Sequence, residues 1–160
     1  MASVEAGAMA LHGTHRGKPV VLTIDGSEFC ARLKDQLWVK IPAELVLDAV
    51  MHGSALTVSM LAPPPRRLSY QHIISHEQWS RRHKQKIIQS LRLYSITLEV
   101  TASDSPAFVD ALFKAAYPRT TPHRRVLVLC NPQSGQGHGK SMLDIVVKPV
   151  LRCAGCAMTV

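Results

Sequence analysis

The stretch Val20–Ile41, VVLTIDGSEFCARLKDQLWVKI, alternates apolar and polar positions in three successive runs. Val20, Leu22 and Ile24 form the first, Phe29, Ala31 and Leu33 the second, and Leu37, Val39 and Ile41 the third. Extended chain points successive side chains to opposite faces, so each run reads as a strand with one face on a core. Asp25-Gly26 is a tight-turn signal, and the third run begins directly after Lys34-Asp35. Three antiparallel strands in sequence are the expected start of the fold.

Upstream, the leader MASVEAGAMALHGTHRG is small-residue and histidine-bearing, and residues 1–17 are expected to be disordered. Downstream, Pro42–His52 (PAELVLDAVMH) fits two templates. Leu45, Val46, Ala49 and Val50 make a helical stripe, while Val46–Val50 also suits a strand, and both remain open at this point. Leu56, Val58 and Met60 return to period two before Pro63-Pro64-Pro65 ends the run, because proline cannot donate to a ladder. Leu68–Ile74 and Ile87–Val100 supply further strands. The apolar parity changes between Leu91, Leu93 and Ile96, Leu98, Val100, which predicts a bulge near Ser95. The period then switches to that of a helix. Ser105 is placed to cap it, Pro106 to open it, and Phe108, Ala111, Leu112 and Ala115 to form its apolar face. A strand meander closed by a single helix over 18–117 resembles a pleckstrin-homology-like (PH-like) domain, a resemblance of pattern rather than of any diagnostic motif.

Composition bounds the function. The chain has 160 residues, 46% of them hydrophobic, enough for one core or for one core and the beginning of another. Its formal charge is +8, which favours anionic partners. Four cysteines (Cys30, Cys130, Cys153 and Cys156) do not make a secreted disulfide framework, so a reducing, cytoplasmic setting is expected. No apolar run reaches the length of a membrane span, so any membrane contact is expected to be peripheral. Arg66, Arg67, Arg81, Arg82, His83, Lys84 and Lys86 concentrate positive charge between two strands. They read either as a solvated loop or as an anionic-lipid contact. Trp79 and Tyr70 nearby do not amount to a nucleic-acid motif.

Residues 118–125, with Pro118, Pro122 and three arginines, read as a linker. A second pattern then begins. Val126–Cys130 is a continuous apolar run, as a parallel strand covered on both faces requires. Asn131-Pro132 stops it, a loop carrying Ser134, Gly135, Gly137 and Gly139 follows, and a helix begins near Ser141. Leu143, Val146, Val147, Val150 and Leu151 stripe that helix, Gly155 ends it, and Cys156–Val160 starts a second strand. Glycines before a helix N-terminus let backbone N–H groups approach an anion, which makes phosphate binding the leading expectation.

The spacing discriminates between phosphate loops. A Walker A loop needs a glycine where Ser134 stands before Gly139-Lys140-Ser141. The dinucleotide fingerprint fails at its third glycine and lacks a downstream acid. The ordered combination of apolar strand, Asn131-Pro132, Ser134-Gly135, Gly137, Gly139-Lys140 and a helix bearing Val147-Lys148-Pro149-Val150-Leu151 resembles the opening of the diacylglycerol-kinase-type catalytic domain. Within it, the closest resemblance is to the sphingosine kinase (sphingoid long-chain-base kinase) branch. It covers roughly 125–160. The resemblance implies that Asn131, Pro132 and Gln133 contact ATP and that Ser134, Gly135, Gly137, Gly139 and Lys140 lie beside its phosphates. Pro149 is expected to kink the helix by removing one hydrogen bond.

The same resemblance implies parts that are absent. A Gly-Gly-Asp-Gly segment does not occur, nor do the proton-accepting aspartate, the magnesium-organising acids and the lipid pocket expected beyond it. The expectation is an α+β chain: a PH-like domain at 18–117, then the first β-α-β unit of a truncated nucleotide-binding domain at 126–160. It would be the N-terminal part of a kinase that phosphorylates a sphingoid base with ATP and Mg2+, without turnover of its own. Two other classes stand beside it, a non-enzymatic module for anionic lipid or protein and a P-loop-type NTPase fragment. Cys153-Ala-Gly-Cys156 lies at a helix C-terminus, where the dipole opposes a thiolate, so neither a redox dithiol nor a zinc site is expected.

Overall fold

The computed structural model describes residues 4–5, 8–62, 91–101, 103–131 and 137–160. The chain divides into two compact units, Met1–Pro118 and Arg119–Val160. The strand expected over Leu68–Ile74 and the basic segment from Arg66 to Lys86 lie outside the described residues.

The first unit is a strand-rich α+β fold. Its strands are β1 (Val4–Glu5), β2 (Ala8–His15), β3 (Lys18–Asp25), β4 (Glu28–Leu33), β5 (Gln36–Pro42), β6 (Val46–His52), β7 (Ala55–Ala62) and β8 (Arg92–Val100). They form one antiparallel sheet in the order β5-β4-β3-β2-β8-β7-β6, with β1 paired to β2. The alternation from Val20 to Ile41 is realised as expected, with Val20, Leu22, Phe29, Ala31, Val39 and Ile41 all buried. Two-residue turns join these strands. Arg16-Gly17 and Lys34-Asp35 carry positive φ at both positions, and Gly26-Ser27 at its glycine, the conformations that match the twist of paired strands.

The ambiguous Pro42–His52 resolves as a 3-10 turn over Ala43–Leu45 followed by β6. Inward positions of β7 and β8 complete the core with Leu56, Val58, Met60, Ile96 and Leu98. The helix α1 (Ser105–Ala116) packs on β2, β3, β6 and the 3-10 turn through Phe108 and Leu112, both fully buried. Its far end is tied down where the Tyr117 hydroxyl donates to the Leu47 carbonyl at 2.6 Å.

Three expectations need correction. Residues 1–17 are not a disordered leader throughout, because Ala8–His15 is a strand that pairs with β3 along its whole length and with β8 through Gly13 and Thr14. Its apolar signal is thin because Gly13 must be small: a Cβ there would lie 2.7 Å from the Glu99 carbonyl oxygen. No bulge occurs at Ser95, and β8 stays in register with β7 from Ala55/Glu99 to Ala62/Arg92. The parity change instead marks Leu93 as an outward residue, on the face where Ser59 meets Ser95 and Thr57 meets Thr97 through hydroxyl contacts of 3.0 Å. The irregularities fall at Ala31/Arg32 and Val46/Asp48. Finally, Ser105 is the first helical residue rather than the cap, and its buried hydroxyl donates back to the Thr101 carbonyl at 2.9 Å.

Candidate functional site

The second unit is built on a parallel strand pair. β9 (Arg125–Leu127) and β10 (Ala157–Thr159) pair from Arg125/Ala157 to Leu127/Thr159. The strands are shorter than the expected Val126–Cys130 and Cys156–Val160. Flanking bonds extend the pairing, with Ala157 N–H donating to Arg124 O at 2.9 Å and Val128 N–H to Thr159 O at 2.8 Å.

One continuous helical stretch connects the strands. It comprises α2 (Gly139–Met142), a π-helical turn over Leu143–Val147, and α3 (Lys148–Cys153). The π turn answers the proline. Pro149 has no N–H to give its preceding turn, and the widened turn, in which Lys148 N–H reaches Leu143 O, carries the helix past it. The expected disturbance therefore takes the form of a π turn within a helix that continues. At the C-terminus Gly155 adopts φ +62°, Gly155 N–H donates to Arg152 O, and Cys156 N–H to Leu151 O. This is the reciprocal pair of a Schellman ending, which satisfies the last carbonyls and turns the chain into β10.

The helix N-terminus carries the site. His138 precedes the first helical residue and makes no side-chain cap hydrogen bond, so among the described residues no side chain accepts from the opening N–H donors. Lys140 occupies the first turn, where the helix dipole disfavours a cation. Both features are unfavourable alone, and both become favourable beside an anion. Gly137, at φ +85°, leads the chain into this turn.

Against the helix start lies an open cavity of about 310 Å³. Val128, Leu129, Cys130 and Asn131 line it from the segment that follows β9, and His138, Gly139, Met142, Leu143 and Val147 from the helix and its N-cap. It sits beyond the carboxyl end of β9, the edge at which open α/β sheets take ligands. Of the residues expected to contact nucleotide, Asn131 and Gly139 line the cavity, and Gly137 and Lys140 stand in the turn beside it. Pro132, Gln133, Ser134 and Gly135 lie outside the described residues. Cys130 and the wall residues Met142 and Leu143 were not among the expected contacts. Only the apolar patterns of the strand and helix pointed to them.

The carboxylate content limits the chemistry. Asp144 is the only acidic residue from 119 to 160. Its carboxylate receives the Lys148 ammonium at 2.6 Å, and that hydrogen bond holds it below the ordinary aspartate range. Among the described residues no cluster of three or more His, Cys, Asp or Glu side chains is placed to hold a metal. The second unit thus offers groups for phosphate oxygens and an apolar wall, and its donor set does not fit Mg2+.

Apolar surface is unusually exposed in this unit. Leu127 at the end of β9 and Leu129 just beyond it are 66% and 88% exposed, and Ile145 on the helix is 71% exposed. Comparison with protein-family models, with curated proteins and with solved structures gave no match. No helix among the described residues is long and apolar enough to cross a membrane.

Proposed function

We propose that this chain is the N-terminal part of an ATP-dependent lipid kinase of the sphingosine-kinase branch, with a PH-like first unit and the opening β-α-β element of the nucleotide-binding domain. The observation that carries the reading is the uncapped helix start at Gly139, with Lys140 in its first turn, beside a cavity at the carboxyl end of a parallel strand. That arrangement suits the phosphates of a nucleotide at the helix and an apolar or aromatic portion against Val128, Met142 and Leu143. The exposure of Leu127 on β9 supports the same reading, since parallel sheets in nucleotide-binding folds are covered on both faces. For the first unit, the support is two antiparallel meanders, β2 to β5 and β6 to β8, followed by one helix packed on the sheet.

Phosphoryl transfer to a sphingoid hydroxyl needs a proton acceptor and metal-organising carboxylates, and the second unit supplies neither. The expected behaviour is nucleotide binding without lipid turnover. Equilibrium dialysis of the full chain with ATP tests it. Binding should weaken about tenfold in Lys140→Ala, in line with the loss of one charge-assisted phosphate contact. Equal ATP retention by the wild type and by a variant combining Asn131→Ala with Lys140→Ala would remove the site from the proposal.

A further inference from the structure

Only two serines or threonines of the chain stand directly before a proline, in Ser105-Pro106 and Thr121-Pro122. The fold treats them oppositely. Ser105 is fully buried at the start of α1, and its hydroxyl donates to the Thr101 carbonyl at 2.9 Å. Thr121 is exposed, in a stretch between α1 and β9 that carries neither helix nor strand. A following proline biases Thr121 toward extended backbone, the form in which a protein kinase threads its substrate through the cleft.

Thr121 also sits among cations. Arg119 precedes it by two residues, and Arg124 and Arg125 follow it by three and four. The Arg124 side chain folds back on this residue, its Nε donating to the Thr121 carbonyl at 3.0 Å. No acidic residue occurs from 111 to 143, and among the described residues no ion pair engages any of the three arginines. A phosphate on threonine carries about −1.5 to −2 charges near neutral pH and three acceptor oxygens, which guanidinium forks match in paired hydrogen bonds. The Thr121 hydroxyl therefore stands where such a group is attracted by arginines that no carboxylate has neutralised.

We propose that Thr121 is a phosphorylation site for a proline-directed protein kinase, and that Arg124, with Arg119 and Arg125, clamps the phosphate at the entry to β9. In the transfer the Thr121 Oγ–P bond forms as the bond between the γ-phosphorus of ATP and its bridging oxygen breaks. The hydroxyl proton passes to the protein kinase's base, and ADP leaves. Pro122 fills the pocket that gives such kinases their preference, and Arg124 suits an acidic subsite three residues on. Once made, the phosphate acts on the second unit through Arg124, whose carbonyl accepts from Ala157 N–H at 2.9 Å at the head of the parallel pair. Holding that side chain braces the backbone where β9 begins. The inference uses no residue of the nucleotide site and is independent of the lipid-kinase reading.

Incubation of the full chain with a purified proline-directed protein kinase, ATP and Mg2+, read by intact mass and peptide mapping, tests the site. A single phosphate should enter, on Thr121. Thr121→Val should abolish incorporation and Thr120→Val should leave it unchanged, while Arg124→Gln should slow it about tenfold through the lost charge-assisted contact. A phosphorus NMR titration tests the clamp. The second ionisation of the phosphothreonine should fall below its ordinary midpoint of about 6, and should move back up in Arg124→Gln protein phosphorylated to completion. Failure of the wild type to take up phosphate, phosphate on Ser105, or undiminished incorporation in Thr121→Val would each overturn the site. A wild-type midpoint at the ordinary value would overturn the clamp.

Discussion

The imidazole of His123 lies against the α-carbon of Gly155, so close that a methyl group there would fall 2.4 Å from Cδ2 and 3.0 Å from Nε2. Both residues have positive φ, +55° at His123 and +62° at Gly155. The contact joins the segment entering β9 to the turn entering β10, and so helps to set the parallel pair beneath the candidate site.

Gly155→Ala should therefore loosen the second unit by about 1–3 kcal/mol, combining left-handed strain with overpacking. Amide exchange at Ala157–Thr159 should accelerate correspondingly, while β3 and β4 stay unchanged. If the β10 amides kept their protection, the His123 ring would have to move at little cost.

Gly13→Ala addresses the first unit. The added Cβ meets the Glu99 carbonyl oxygen at 2.7 Å and the Val100 side chain at 2.8 Å, and backbone cannot yield as a side-chain tip can. The expected loss is about 1–3 kcal/mol. It should appear as a lower urea midpoint in Trp38 emission, read in a Trp79→Phe background. An unchanged midpoint would mean that the β2–β8 seam opens at no cost.

Cys30 should be a slow thiol. Burial pushes its pKa up and Glu28 adds to that, while Lys40, the Thr23 hydrogen bond and Arg32 oppose it. Alkylation by iodoacetamide, followed by peptide mass spectrometry, should reach half-maximal rate above the usual cysteine value of about 8.5. Lys40→Met should move that midpoint further up. Labelling at neutral pH as fast as that of an unstructured cysteine peptide would contradict the stated environment.

Asp144 provides a signed pH effect. Its folded pKa is depressed by the Lys148 hydrogen bond, so the stability it contributes is present above the unfolded value of about 3.9 and is lost as pH falls through the folded value. Amide protection across 139–153 should weaken in that acidic window, and Lys148→Met should remove that pH dependence. A carbon-detected titration of Asp144 with an ordinary midpoint would rule the pairing out.

Much of the first unit was legible because one side of each strand faces the core. Val20 to Ile41, Leu56 to Met60 and the α1 stripe of Phe108 and Leu112 all declare their burial through period. Ala8–His15 escaped because its tightest contact is made by a glycine, which contributes nothing to an apolar pattern. The Ser95 bulge was inferred from parity alone, whereas Leu93 simply faces outward. At the candidate site, the glycine loop and the proline could be read directly. The π turn, the uncapped helix start and the cavity wall could not, because they depend on how the helix lies against β9.

The seam between β2 and β8 also has a consequence for the order of events during synthesis. Gly13 and Thr14 are made before β3 to β7, yet their partners Val100 and Glu99 emerge only after those strands have left the ribosome. β2 can zip onto β3 early, but its other edge must wait unpaired. Closing that contact late carries a large loop entropy and leaves a strand edge available for misassociation. Closing the short β2–β8 seam is thus expected to be a late step in the folding of the first unit.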